Sequence, residues 1–437
     1  MARSYDTEMF SSYILANTLY GLILSFSTLG MAQWYIRALK ESSDSKILSA
    51  LFLKIQLYAG CFFFLLNVFL SFLLYQQTTI HVLSVLLGLN IVLDNLIHVF
   101  KTINIATYQQ RQTFMILSAE ATLKLILGIA IFYIVPDLFL VAFSLLFLRI
   151  ISLFFFFLNE KNGFLKLSTV FHTQLEIKTI IKTLYANRFF LVIGSISVLF
   201  WSIGNILVSK FLDFNRVADY EISFKLFTMA EVIPVMVSAS LFPLIVEKVK
   251  TGTLESSQLL KAVSYGNVVY GLVAYTFVFS FSEELIPILF GEKYSQTADY
   301  CKEMFLTILI FPSALFQANI LIALKMEKTD MHLNLLSLGL NLTISIMGLY
   351  LTRSLSSINY AILISFVVFH VSQEYYLIQR GISTIKHAMS VYGIIIGGAT
   401  LYLFLEKFIS PFYLFPTIWC LLLLFIIPTL KKIRVQA

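Results

Sequence analysis

The stretch LSAEATLKLILGIAIFYIVP, Leu117 to Pro136, holds an acid and a base, Glu120 and Lys124, inside an otherwise apolar run. At 1.5 Å of rise per residue, about 20 residues of helix cross a hydrocarbon core of about 30 Å, and this run is that long. Residues four apart share one helix face, so Glu120 and Lys124 are placed to pair. A charge at mid-bilayer costs about 2.5–3.5 kcal/mol on insertion scales, and a helix that keeps two needs a partner, a wet cavity or a ligand for them.

Similar apolar runs fill the chain. Of its 437 residues 59% are hydrophobic and 13% charged, a balance that leaves too little polar surface for a soluble protein of this length. Segments of about ten alternating residues, the mark of a membrane β-barrel, are absent. The sequence therefore predicts an all-α polytopic membrane protein. Thirteen spans are expected, at roughly 10–36, 54–75, 79–103, 114–135, 138–158, 186–209, 219–246, 260–281, 300–324, 330–352, 357–379, 388–408 and 412–430. Loops on one side carry 21 Lys and Arg, against eight on the other (Arg3, Lys210, Arg216, Lys225, Lys293, Lys302, Arg353 and Lys407). By the positive-inside rule the richer side is cytoplasmic, which puts the C-terminus inside and, with an odd number of spans, the N-terminus outside.

The formal net charge of +7 is spread over short loops and forms no basic domain, which argues against nucleic acid. Cys61, Cys301 and Cys420 lie far apart and read as small buried hydrophobes, not as a metal site or disulfide framework. No phosphate-cradling glycine loop, His/Cys ligand spacing or nucleophile–base constellation is visible. No enzyme chemistry and no cofactor are expected, and energy would come from an ion gradient or from substrate supply.

An internal repeat organises the chain. IATYQQRQTFMILSAEATLKLILGIAIFYI, from Ile105, matches IALKMEKTDMHLNLLSLGLNLTISIMGLYL, from Ile322, at one constant offset. Both stretches run from an inside loop outward, so the repeat is parallel. Glu120 falls on Ser337 and Lys124 on Asn341. The pairing predicts a 1–158 bundle of five helices, a 159–187 cytoplasmic amphipathic linker, a 188–380 bundle of six, and a 381–437 helix pair with a basic tail. On this count the first helix of a six-plus-six design is missing.

Three phrases then carry a resemblance. MFSSYILANTLYGLILSFSTLGMAQWYIRALKES, from Met9, looks like the second helix of the MOP exporter superfamily. YEISFKLFTMAEVIPVMVSASLFPLI, from Tyr220, looks like the eighth, with its late proline at Pro243. ELIPILFGEKYSQTADYCKEMFL, from Glu284, resembles the outer phrase between the ninth and tenth. Within that superfamily the chain is most similar to the polysaccharide repeat-unit (Wzx-type) flippases of O-antigen, lipopolysaccharide and capsule assembly. The resemblance implies two helical bundles in a V around a central cavity that opens alternately to either side. It also implies a bacterial inner-membrane location and transport of undecaprenyl-pyrophosphate-linked oligosaccharides from inner to outer leaflet. The expected partners are that lipid-linked substrate, the bilayer and a polysaccharide polymerase. A cation-coupled drug or metabolite antiporter of the same superfamily is the alternative. An integral-membrane polysaccharide enzyme is a third, disfavoured by the short outer loops.

Pyrophosphate needs cations in a wet cavity, and sugars need hydrogen-bonding groups. Arg149, Lys124, Arg37, Lys225 and Asn341 are the candidate substrate-binding residues. Arginine suits phosphate through its planar fork, lysine as a point charge. Glu120, Asp94, His98 and Glu374 are the candidate counter-ions or ion-coupling groups. The competing reading is structural: Glu120–Lys124 and Asp94–His98, each four apart, could only neutralise one another and pin helices together.

Overall fold

The computed structural model describes residues 5–41, 44–134, 137–160, 163–165, 172–173, 177–252 and 258–420. The described residues are helical throughout, without a strand. The helices are α1 Thr7–Ser27, α2 Ala32–Glu41, α3 Ser45–Leu74, α4 Thr78–Ala106, α5 Gln110–Ile134, α6 Leu138–Leu158, α7 Ile177–Phe211, α8 Arg216–Lys250, α9 Gln258–Phe290, α10 Thr297–Phe305, α11 Phe311–Ala323, α12 Glu327–Thr352, α13 Ser356–Gln379 and α14 Ile385–Glu406. Among them are 11 segments long and apolar enough to cross a membrane, α10 and α11 counting together as one. They correspond to all the expected spans but the sixth and the last. The sixth lies within α7, where Ser195–Phe211 is helical and apolar and the side chains of 186–194 lie outside the described residues. Of the last, residues 411–420 are helical and the remainder lies outside the described residues. In the 159–187 linker, residues 161–162, 166–171 and 174–176 lie outside the described residues, and Ile177 onward is the start of α7.

The chain forms two units, Met1–Ser209 and Lys210–Ala437. The boundary falls near the end of α7: up to Ser209 the helix belongs by contact to the first unit, where Asn205 donates to the Thr18 hydroxyl at 3.1 Å, and its last residues, Lys210 and Phe211, belong to the second.

The first predicted span, 10–36, is not one helix. Leu29 and Gly30 take left-handed φ values of 55° and 60°, which a right-handed helix cannot absorb, and the chain turns after Ser27. The following α2 is amphipathic. Its Tyr35 is fully buried, stacks on Phe52 at 4.7 Å and hydrogen-bonds the Ser49 hydroxyl at 2.7 Å. Met31 and Tyr35 join Ile97, Phe100 and Phe156 in one core cluster beneath the bundle. The ninth predicted span also breaks, at a 3-10 turn over Leu306–Leu309 ahead of Pro312, which has no N–H to continue the helix.

Small residues set the close approach of α3 and α4. A Cβ on Gly60 would lie 3.0 Å from Val92 Cα, and one on Gly88 2.7 Å from Asn67 Nδ2. Without a hydrophobic drive between helices in lipid, such contacts and interhelical hydrogen bonds hold a bundle together. Fully buried Asn95 does the latter: its amide accepts from Ser27 Oγ at 2.7 Å and donates to the carbonyls of Ser27 and Gln56. The bond to Ser27 satisfies a carbonyl at the end of α1 that the helix itself leaves open, and the bond to Gln56 joins α4 to α3.

The repeat is present in the backbone. Tyr108, just past the end of α4, has φ 58°, and Lys325, just past the end of α11, has φ 59°. The two stand at the repeat offset, as Ile105 does to Ile322. Gln109 N–H returns to Asn104 O at 2.7 Å, and Met326 N–H to Leu321 O at 2.9 Å. These are the same helix-ending turn, built once from Tyr and once from Lys.

Candidate functional site

Four of the nine candidate residues converge in the first unit. Asp94 on α4 and Glu120 on α5 are 7% and 4% exposed, well inside the helix packing. Arg149, from the middle of α6, reaches both. Its Nε and Nη2 bond Asp94 Oδ1, and its Nη1 donates to Glu120 Oε1 and Oε2 at 2.8 and 2.9 Å. Lys124 Nζ completes the group at 2.5 Å from Glu120 Oε1. The expected Glu120–Lys124 pair therefore exists, but inside a larger network of two acids and two bases.

Two members of the network are absent from the sequence-based set. Tyr20 of α1 donates its hydroxyl to Asp94 Oδ2, and Ser152 of α6 hydrogen-bonds Glu120. A tyrosine in mid-span whose hydroxyl must find a polar partner is the available signal for the first. Sequence spacing gives Arg149 no acid, because none stands within a turn of it. Its acids come from α4 and α5 instead.

The expected Asp94–His98 pairing is also corrected. Asp94 is taken up by Arg149 and Tyr20. His98, a turn along α4, packs its ring edge-on to Phe52, and its Nε2 has no hydrogen-bond partner among the described residues. Arg37 lies on α2, with its side chain outside the described residues. The remaining candidates belong to the second unit, each with local partners. Lys225, half-exposed, pairs with Glu221 at 3.4 Å. Asn341, buried, accepts from the Ser345 hydroxyl at 3.1 Å. Glu374 of α13 accepts from Gln317 of α11 and from Ser383. His370, four residues earlier, bonds the Tyr392 hydroxyl at 2.5 Å and not Glu374.

The repeat shows what the charged network replaces. At the repeat offset Asp94 and Arg149 correspond to Phe311 and Phe366, whose rings meet at 5.8 Å. Glu120 corresponds to Ser337, which donates to Ser365 O at 3.2 Å. One helix arrangement is thus held by ions in the first unit, and by an aromatic contact with a neutral hydrogen bond in the second. The fold does not require the charges.

Two separate apolar grooves each touch the network, one at Glu120 and Ser152 and one at Lys124. One, of about 240 Å³, runs between α5 and α6 past Met115, Glu120, Leu148 and Phe155. The other, of about 580 Å³, runs along α5 past Lys124, Gly128 and Tyr133, with Tyr5 and Tyr13 on its far wall. Lys124 is 37% exposed along its side chain and Arg149 21%, so the lysine is the more open cation. The arrangement offers a part-exposed cation on the wall of one apolar groove, with its carboxylate partner Glu120 on the wall of the other. Among the described residues no group of His, Cys, Asp and Glu is spaced to hold a metal ion.

No protein-family model matches the chain, and no curated protein sequence does. Solved structures do. An inward-facing multidrug-resistance transporter of the MATE family, in the MOP superfamily, matches with a TM-score of 0.72 at 11% identity, over 86% of this chain and 91% of that one. The lipid II flippase MurJ, in an inward closed conformation, matches with a TM-score of 0.71 at 13% identity, over 99% and 94%. A MOP superfamily transporter from Pyrococcus furiosus matches with a TM-score of 0.54 at 12% identity, over 88% and 86%. Identities this low carry fold and not substrate: the chain has the fold of the MOP superfamily transporters.

Proposed function

We propose that this chain is a flippase for undecaprenyl-pyrophosphate-linked oligosaccharide repeat units. It would move them from the inner to the outer leaflet of a bacterial inner membrane by alternating access, for surface polysaccharide assembly. The observation that carries the reading is Lys124, a part-exposed cation on the wall of an apolar groove and paired with Glu120, which lines a second one. A lipid-linked pyrophosphate needs that combination, an apolar wall for the chain and a cation for the headgroup. In this reading Lys124 contacts phosphate first. Arg149 follows, held in place by Asp94 and Glu120 while no substrate is bound. The likeness to a lipid II flippase supports a lipid-linked cargo. Asn341, Lys225 and Arg37 are proposed as secondary contacts to sugar or headgroup.

The test is complementation in cells that lack this protein and cannot display polymer. Lys124→Gln should abolish surface polymer while immunoblots find the chain in the membrane fraction. Full display by both Lys124→Gln and Arg149→Gln would sink the assignment.

One observation favours a second reading, a cation-coupled antiporter. Glu374 is buried and bonded to neutral groups, with no base paired to it among the described residues. A carboxylate so placed can take up a proton or a sodium ion, and the likeness to a MATE-family transporter points the same way. Proteoliposomes separate the two readings, since a drug antiporter moves cationic dyes against a sodium or proton gradient without any lipid-linked sugar.

A further inference from the structure

A second cationic site stands in the second unit. Residues at the end of α7, the start of α8, the body of α10 and the α12–α13 turn enclose a polar cavity of about 540 Å³. Lys210, Asp213, Arg216, Tyr300, Arg353 and Ser354 line it. All three bases belong to the sparse side of the positive-inside count, so three of only eight bases there meet in one cavity. Cations that merely reach for headgroups at helix ends have no reason to converge.

Arg353 has the most specific placement. It follows the last residue of α12 at φ 52°, a left-handed conformation uncommon for any residue but glycine or asparagine. Its Nη1 donates to Phe211 O at 3.0 Å, which ties the guanidinium to the α7 end of the cavity. No carboxylate pairs with it among the described residues, and its other N–H donors remain available. A cation after a helix C-terminus offsets the dipole there, and the left-handed residue ends α12 much as Tyr108 and Lys325 end α4 and α11, but neither accounts for the tie to Phe211. Arg216 has its partner already, Asp219 Oδ2 at 3.1 Å, and Asp219 is held in turn by Thr297 at 2.7 Å. Asp213 is then the one acid against three bases on the cavity wall.

We infer that this cavity binds a phosphate-bearing headgroup at the membrane surface. With Arg216 matched by Asp219, Lys210 and Arg353 face Asp213 with one positive charge in excess, and their several donors suit the three or more oxygens of a phosphate better than the two of a single carboxylate. Arginine forks beside a lysine are the usual means of holding phosphate oxygens. Tyr300 and Ser354 add polar wall at the sides. By the orientation read from the sequence the site faces outward, where an outer-leaflet lipid phosphate would reach it. Soluble phosphate offers the same oxygens. Such a pocket would exist whatever cargo the chain carries.

The test uses the full chain in nanodiscs of neutral phosphatidylcholine, in the Lys124→Gln background so that the proposed cargo site is weakened and the dependence on Lys210 and Arg353 reports this cavity. Binding of inorganic pyrophosphate and of a short polyprenyl diphosphate is measured by calorimetry. The Lys124→Gln chain should bind at least one probe, and adding Lys210→Gln and Arg353→Gln should weaken that binding at least tenfold. A clear preference for the prenylated probe identifies lipid-borne phosphate as the natural ligand; equal affinities identify soluble phosphate. Should the multiple variant fail size-exclusion, exposed Lys210→Glu alone must show the same weakening. Absence of binding in the Lys124→Gln background, or binding indifferent to Lys210 and Arg353, overturns the inference.

Discussion

Removing Arg149 alone should cost more stability than removing the whole network. In Arg149→Met, Asp94 keeps only the Tyr20 hydroxyl, and Glu120 keeps Lys124 and Ser152. Both carboxylates stay buried in the helix packing, at 7% and 4% exposure. Breaking a buried ion pair by removing one partner costs about 3–5 kcal/mol, because an uncompensated charge is left behind. Replacing the entire set is different. Asp94→Asn, Glu120→Gln and Arg149→Met together leave no unpaired buried charge, and neutral or apolar replacements of such sets are often tolerated. The repeat supplies this protein's own precedent in Phe311 against Phe366 and Ser337 against Ser365. Equilibrium unfolding in mixed detergent micelles of rising dodecyl sulfate content is the assay. Arg149→Met should unfold at a clearly lower dodecyl sulfate fraction, with its folding equilibrium constant down by roughly two to four orders of magnitude. The triple variant should recover most of that loss. If Arg149→Met unfolds where the wild type does, or if the triple variant is no better than the single one, the network is not the buried, mutually neutralising unit described here.

Three further outcomes follow from the packing. Tyr20→Phe removes only the hydrogen bond to Asp94 and should cost about 1.5–3 kcal/mol in the same unfolding assay, as for a bond to a charged group. Gly60→Val pushes a side chain against the α4 backbone at Val92 Cα, a position that cannot give way as a flexible side chain can. A loss of about 1–3 kcal/mol is expected, with an unchanged midpoint as the refuting result. Tyr108→Gly and Lys325→Gly each relieve a left-handed residue at equivalent turns of the two units, at φ 58° and 59°. Both should be neutral or stabilising by up to about 1 kcal/mol, whereas Ala at either site should relieve nothing.

Much of this architecture is legible along the chain. Helices are local objects, and a run of about 20 apolar residues can satisfy its own backbone hydrogen bonds in only one way inside a membrane. Span positions follow directly, as does the parallel repeat, whose turns at Tyr108 and Lys325 have the same backbone. The pairing of Glu120 with Lys124 is also local, since i, i+4 residues share a face. Even the break after Ser27 has a sequence mark in Gly30, though apolar content alone carries the predicted span past it.

What the tertiary structure alone decided is which helices face which. Arg149 has no acid near it in sequence, yet it is held by two acids, because α6 packs against α4 and presents its middle to α5. His98 looks like Asp94's partner from spacing alone, but a carboxylate with one arginine and one tyrosine in reach leaves it none to share. Lys210 and Arg216 stand far from Arg353 in sequence and meet it only because the chain brings three helix ends together. Hydropathy and helical period act over one or two turns. The partner of a buried charge is chosen by interhelical packing, which neither of them encodes.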